Sequence, residues 1–211
     1  MVGGDYQQDP DDAVSGYVRD RRRLVAATAK AASEHGCAGL TVEHVLQYAG
    51  VSLDLFEAHF ESKEQALLAA QDDFLERLWL DAANACEATE SWPTRVRAGV
   101  AAILSSLVEV STLARVFAIE ACAVSVAAAE RQFAALDQFA ALLRDGRREY
   151  PAAGPLPAAT ERVLVGGIAS IVSGHLLMED PQAIPPLETE LIELLLIPYL
   201  GEGEARRVAT V

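Results

Sequence analysis

Apolar residues recur at three- and four-residue intervals from about residue 18 to residue 200, and no segment alternates apolar and polar residues as a half-buried strand must. That periodicity confines the chain to an all-α fold. Even the Val- and Ile-rich stretch of residues 163–171 sits among Ala and Gly at helical spacing, which argues for buried helix over strand. Gly36-Cys37-Ala38-Gly39 ends a first helix of about residues 18–35, and Ala49-Gly50-Val51-Ser52 separates two short ones. Ser62, with Gln65 three residues later, forms a capping box that opens a long helix to about residue 88. Ser91-Trp92-Pro93 starts another, running to about residue 110, because proline is tolerated in a first turn. Helices over about residues 112–123 and then to residue 148 follow, with a weak break at 124–127, before a Pro- and Gly-containing loop at 151–157. Residues 158–178 and 187–200 complete the set, the last closed by Gly201. Three short helices thus precede six longer ones.

Four segments result: an acidic tail over residues 1–17, expected to be disordered; a three-helix domain over 18–61; a six-helix domain over 62–205; and a short tail over 206–211. The 211 residues, 51% hydrophobic, suffice for one substantial core or two small ones. With 17 Lys+Arg against 31 Asp+Glu, the formal charge of -14 repels polyanions at long range and excludes a non-specific nucleic-acid binder. Cys37, Cys86 and Cys122 are odd in number and lack zinc or dithiol spacing, so they read as small packing residues in a reducing cytoplasm. No apolar run reaches the roughly 18 residues that span a bilayer.

The front helices carry the most specific pattern. Leu24, Ala27, Ala31 and Ala32 supply the inner face of the first helix, and Val42, Val45, Leu46 and Ala49 that of the second. Val51, Phe56 and Phe60 close the small core from the third, which has the outline of a helix-turn-helix. Thr41 and Ser52 are placed as N-caps, and a capped helix start can offer a hydroxyl and free N–H groups to a phosphate. Gly50 suits the positive backbone angle of the tight turn.

Taken together, Gly36, Leu40-Thr41-Val42, Ala49-Gly50-Val51-Ser52, His59-Phe60 and Ser62-Lys63-Glu64 resemble the N-terminal domain of the TetR family of bacterial transcriptional regulators. Further along, Leu113-Ala114-Arg115 with Glu120, Gly166-Gly167-Ile168, Leu187-Glu188-Thr189-Glu190-Leu191 and Pro198-Tyr199-Leu200-Gly201 are similar to the ligand-binding half of one branch of that family. The resemblance implies a homodimer that binds operator DNA with two heads and releases it when a small molecule enters the second domain. It further implies that Thr41 and Lys63 hold phosphates, that Ser52 starts the groove-facing helix, and that Leu53, Asp54, Leu55, Ala58 and His59 approach bases or backbone. His59 fits a helix-terminal cap on nearby carbonyls nearly as well. Glu57 stands where the family usually has a phosphate-binding tyrosine, and Leu53, Asp54 and Leu55 also depart from its pattern.

Local charge sharpens that departure. Between residues 19 and 64, Arg19, Arg21, Arg22, Arg23, Lys30 and Lys63 face Asp20, Glu34, Glu43, Asp54, Glu57, Glu61 and Glu64. DNA affinity rests mainly on phosphate neutralisation, so a carboxylate against the backbone opposes what a lysine contributes. The arginines at 21–23 are placed to reach flanking phosphates, and Asp54 or Glu57 can accept from cytosine N4.

In the second domain, Phe74, Leu78, Trp79, Ile103, Leu107, Phe117, Cys122, Phe133, Phe139 and His175 are candidate walls of a pocket for a hydrophobic effector, with ordinary core packing the alternative for each. Glu120 and His175 are polar on otherwise apolar stretches and serve either to orient a ligand or as buried structural groups. Residues 158–178 are apolar nearly all round and, with residues 187–200, fit a four-helix bundle across a two-fold axis; a central helix in a monomer is the alternative. No H-E-x-x-H, Gly-rich phosphate loop or G-x-S-x-G elbow occurs, so neither a catalytic centre, a metal site nor a cofactor is expected. Two readings stay open: a ligand-released repressor, and a divergent sensor or protein-interaction module with weak or no DNA binding. A helical enzyme is the outsider.

Overall fold

The computed structural model describes residues 10–87, 89–151 and 155–210. They are helical with no strand among them, as the periodicity requires. The chain divides into two compact units, residues 1–71 and 72–211. The division falls inside the long fourth helix.

The first unit holds α1 (Pro10–Gly39), α2 (Val42–Ala49), α3 (Leu53–Glu57) and the start of α4 (Lys63–Glu87). Helix α1 begins at Pro10, so residues 10–17, expected in a disordered tail, are helical; residues 1–9 lie outside the described residues. Acidic residues near a helix N-terminus complement its dipole, which is why an Asp-rich lead-in extends a helix as readily as it forms a coil. Helix α1 breaks at Gly36, at φ 70 and ψ 164, where the first helix was expected to end, and a further short turn carries it to Gly39. Leu24, Ala31, Ala32 and Val45 are fully buried, and Phe56 and Phe60 nearly so, their rings 5.7 Å apart. Val42, Leu46 and Val51 are only half-buried. Gly50 closes α2 at φ 62, its N–H donating to the Leu46 carbonyl at 2.8 Å.

Ser62 opens α4 by accepting from the Gln65 N–H at 3.2 Å. Gln65 Oε1 accepts from the Glu61 N–H at 2.7 Å, one residue earlier than the expected capping box has it.

The second unit contains the rest of α4, then α5 (Trp92–Glu109), α6 (Ser111–Arg115), a π-helical turn (Val116–Glu120), α7 (Ala121–Val124), α8 (Val126–Leu143), α9 (Gly146–Glu149), α10 (Thr160–Leu177), α11 (Glu188–Leu200) and α12 (Glu202–Ala209). The expected helix over 112–123 is thus interrupted by a π turn, and in it Arg115 and Glu120, five residues apart, form an ion pair at 3.1 Å. The expected run to residue 148 is broken at Arg144-Asp145 into α8 and α9. Helix α12 takes most of the expected C-terminal tail. Gly201 at φ 75 turns the chain, and Ala205 and Ala209, one turn apart, bury against the core.

That core gathers Trp92, Leu143, Ile192, Leu195, Leu196 and Tyr199. Trp92 meets Tyr199 edge-on at 4.8 Å and donates from Nε1 to the Leu142 carbonyl at 3.4 Å. Beside it lies a buried charge. Glu161, 1% exposed, accepts from Arg147 Nη2 at 2.8 Å and from the Tyr199 hydroxyl at 2.8 Å. Arg147 also donates to the carbonyls of Leu156 and Pro157 at 2.8 and 2.7 Å, which fastens the loop before α10. The Arg147 guanidinium holds the Glu161 carboxyl down at about 2, against the opposing effect of burial. Burial and the bond to Glu161 push the Tyr199 phenol well above its ordinary value.

Because the folded carboxyl titrates below the unfolded one, its stabilisation is complete above about pH 5 and is lost as the pH falls toward 2. A shift from 4.5 to about 2 corresponds to roughly 3 kcal/mol. Chemical denaturation across this range is expected to show that loss in the native chain. Glu161→Gln is expected to lower stability at pH 7 and to flatten the acid limb.

Candidate functional sites

The helix-turn-helix geometry is built from its caps. Thr41 Oγ1 accepts from the His44 N–H at 3.3 Å and Ser52 Oγ from the Leu55 N–H at 3.4 Å, so each hydroxyl fixes a helix start. Lys63 Nζ donates to the Leu40 carbonyl at 2.8 Å, tying the start of α4 to the turn before α2. Two of the three ammonium protons remain for another acceptor. With Phe56 turned into the core, α3 exposes Leu53, Asp54 and Glu57, followed by exposed Ala58; Leu55 is half-buried.

His59 packs on Tyr17 with ring centroids 4.2 Å apart and planes tilted by 40°, and its Nδ1 is buried with no hydrogen-bond partner among the described residues, so Nδ1 caps no carbonyl. Tyr17 was hidden from sequence reasoning because it fell in the presumed tail. The arginines expected to reach phosphates are partly engaged elsewhere: Arg21 lies over the Phe60 ring at 4.6 Å, and Arg23 donates weakly to the Gly50 carbonyl at 3.5 Å. Glu43, exposed in the first turn of α2, is held below the ordinary carboxylate range by hydrogen bonds from its own backbone and from Thr41. Helices α2 and α3 thus expose the carboxyl side chains of Glu43, Asp54 and Glu57.

In the second unit α4, α5, α8 and α10 enclose a cavity of about 260 Å³. Phe74, Leu78, Ile103, Leu107 and Phe139 line it. Phe117, Trp79, Cys122, Phe133, Glu120 and His175 do not. Phe117 is fully buried behind the wall, its ring 5.5 Å from that of Phe74, and Trp79 packs on Phe139 at 5.4 Å from the outer side. Cys122 donates toward the Phe117 carbonyl at 3.6 Å, and Phe133 is 68% exposed. Glu120 is taken up by Arg115, and His175 sits half-buried in the last turn of α10. Sequence reasoning missed Val96, Val100, Leu136, Ile168 and Gln132 on the wall. The α5 positions 96, 100, 103 and 107 do follow helical spacing, a signal that core packing produces equally.

Its wall also carries the small residues Ala82, Gly99, Ala118 and Ala135 between the large ones. Among the described residues no three or more His, Cys, Asp or Glu side chains cluster to hold a metal, and no single helix is long and apolar enough to cross a membrane. On α10, Val163, Ile171 and Leu177 are exposed, as is Met178 just beyond its end, and a Cβ at Gly166, Gly167 or Gly174 would meet nothing within 4 Å.

This arrangement is the fold of TetR-family transcriptional regulators. It is shared with the fatty acid degradation regulator FadR from Bacillus halodurans at TM-score 0.72 and 17% identity, over 84% of this chain and 94% of that one. FadR from Bacillus subtilis, solved in complex with stearoyl-CoA, matches at TM-score 0.71 and 14% identity over 85% and 98%. A TetR transcriptional regulator from Chloroflexus aurantiacus matches at TM-score 0.69 and 20% identity over 87% and 96%. No protein-family model and no curated protein matches the chain.

If the caps set the helix-turn-helix frame, Thr41→Ala is expected to destabilise the first unit by about 1 kcal/mol, measured by hydrogen exchange of α2 amides. Exchange in α8 and α10 is expected to stay unchanged.

Proposed function

We propose that the chain is a ligand-responsive, DNA-binding transcriptional regulator that acts as a homodimer in the cytoplasm and is released from its operator by a small hydrophobic effector. The observation that carries this reading is the pairing, in one chain, of a capped helix-turn-helix whose third helix is exposed with an apolar cavity. The regulators that share the fold support it, and the stearoyl-CoA bound to one of them supports a long apolar effector. Helix α4 runs from Lys63, in the first unit, through Phe74 and Leu78 on the cavity wall, so an occupant that shifts α4 has a covalent route to the head.

Thr41, Ser52, Lys63 and His59, joined by Tyr17, are the proposed phosphate contacts, and Leu53, Asp54, Leu55 and Glu57 the groove-facing set. Phe74, Leu78, Ile103 and Leu107 are the proposed effector contacts. Residues 18–61 serve as the DNA-binding domain and the following helices as the ligand-binding and dimerisation domain. The exposed apolar face of α10, with Leu194 of α11 at 43% exposure, is the proposed dimer seam, where the uncovered glycines permit close helix approach.

The second reading, a sensor or interaction module that no longer reads DNA, draws on the carboxylates of α3 and on the internal engagement of Lys63 and Arg21. Binding to DNA from upstream of the protein's own gene, titrated from about 50 to 200 mM salt, separates the two. A saturable, salt-sensitive complex is expected; its absence at low salt rejects the regulator reading. Glu57→Tyr is expected to tighten binding about fivefold by removing a charge facing phosphate, whereas weaker binding with altered base preference marks direct readout by the carboxylate. Sedimentation at micromolar concentration is expected to give a dimer, and Ile171→Asp a monomer.

A further inference from the structure

Two spaces in the second unit share a wall. The outer one is a groove of about 490 Å³ between α4 and α8, where Leu75 and Trp79 of α4 lie across from Ala135 and Phe139 of α8. Leu75, Ala135 and Phe139 also line the apolar inner cavity, and all three are half-buried. The partition between groove and cavity is therefore a single layer of side chains. Ala135 contributes only a methyl group to it, so Leu75 and Phe139 do the closing.

A core side chain is locked in one rotamer by neighbours on every side, and one bordered by space on two faces is not. Phe139 is held on the groove side by Trp79, whose ring lies 5.4 Å away and tilted by 47°, and Trp79 lines the groove alone. At the same groove α8 is tied to α4 by Arg131 Nε, which donates to Asp72 Oδ1 at 2.8 Å, with the two side chains 36% and 52% exposed. An ion pair so open to solvent is weak and screened by salt, so the helices part there at little cost. The far end of the cavity is fastened differently. About 16 Å along α4 from Leu75, Cys86 Sγ donates to the Arg95 carbonyl at 3.3 Å, and Arg95 pairs with Glu149 at 3.0 Å.

We propose that the α4–α8 groove is the entrance to the cavity: an apolar ligand lands on Leu75, Trp79 and Phe139 and passes inward when Phe139 and Leu75 swing aside, with the Arg131–Asp72 ion pair as the latch that limits how often they do. This role rests on the reading of the cavity as the effector site and adds the route by which an effector reaches it. The gate sets how fast the ligand enters and leaves; the rest of the apolar wall sets how tightly it is held.

The test uses the full-length protein and the uncharged fluorophore N-phenyl-1-naphthylamine, whose emission rises when it leaves water. Stopped-flow mixing gives its association rate, and displacement by excess 1-decanol its dissociation rate. Phe139→Ala is expected to raise both rates about tenfold while the dissociation constant changes by less than about threefold. Leu75→Ala, which opens the same partition from α4, is expected to act in the same direction and serves should the Phe139 variant fold poorly. In the native chain association is expected to quicken between about 50 and 500 mM salt, and in Arg131→Gln to be fast throughout and independent of salt. Arg95→Ala, at the far end, is expected to leave both rates unchanged. A rise in the dissociation rate alone in the Phe139 and Leu75 variants makes them ordinary wall residues and overturns the gate. Faster entry in Arg95→Ala with none in the other two places the route at the far end, and a salt effect that survives Arg131→Gln overturns the latch; in each case the cavity stands as a binding site. No binding of the fluorophore or the alcohol to the native chain overturns the cavity reading itself and the gate with it.

Discussion

Glu161 has 1% of its surface exposed, and the second unit is organised so that this charge never stands alone. A carboxylate removed from water is strongly destabilising unless its oxygens are met by donors. Here Arg147 of α9 and Tyr199 of α11 meet them, and the same guanidinium reaches back to the Leu156 and Pro157 carbonyls. One buried charge on α10 therefore fixes α9, α11 and the loop leading into α10. Trp92, packed edge-on against Tyr199, extends the constraint to α5. Gly146 belongs to it as well, since a Cβ there would lie 2.4 Å from the Trp92 ring.

With α5, α9, α10 and α11 held at that end, the space toward Phe74 and Leu107 need not be filled for the fold to persist. Ion pairs such as Arg131 to Asp72 and Arg162 to Asp137 link the helices around it, and Gly99 lets α5 approach α4 closely, a Cβ there lying 3.2 Å from Cys86 Sγ. A cavity large enough for a ligand is destabilising by itself, because its lining atoms lose dispersion contacts. Its persistence beside a tightly specified cluster is the pattern of a binding site, in which a local rule is broken and offset elsewhere.

The first unit shows the same separation between frame and function. Its frame is made by Leu24, Val45, Phe56 and Phe60, by the caps Thr41 and Ser52, and by Gly50 in the left-handed region. None of these depends on what α3 shows to solvent. Leu53, Asp54 and Glu57 are exposed and free to vary without cost to the fold, so α3 can carry two carboxylates on its solvent face. The frame is indifferent to the charge on that face.

The sequence by itself determined the all-α class, the breakers, the caps and the inner faces of the first unit, because periodicity, glycine turns and N-caps are local properties of the chain. It also marked five of the cavity residues as apolar helix positions. It did not separate wall from core: Phe117, Trp79 and Phe139 have the same composition and spacing, and only packing put Phe139 on the cavity and the other two off it. It passed over α12 because an eight-residue helix with two alanines as its inner face has almost no apolar signature. It also left Tyr17 in a tail. The tertiary structure alone decided that Glu161 is buried in a satisfied network with Arg147 and Tyr199, because burial and pairing depend on neighbours far along the chain.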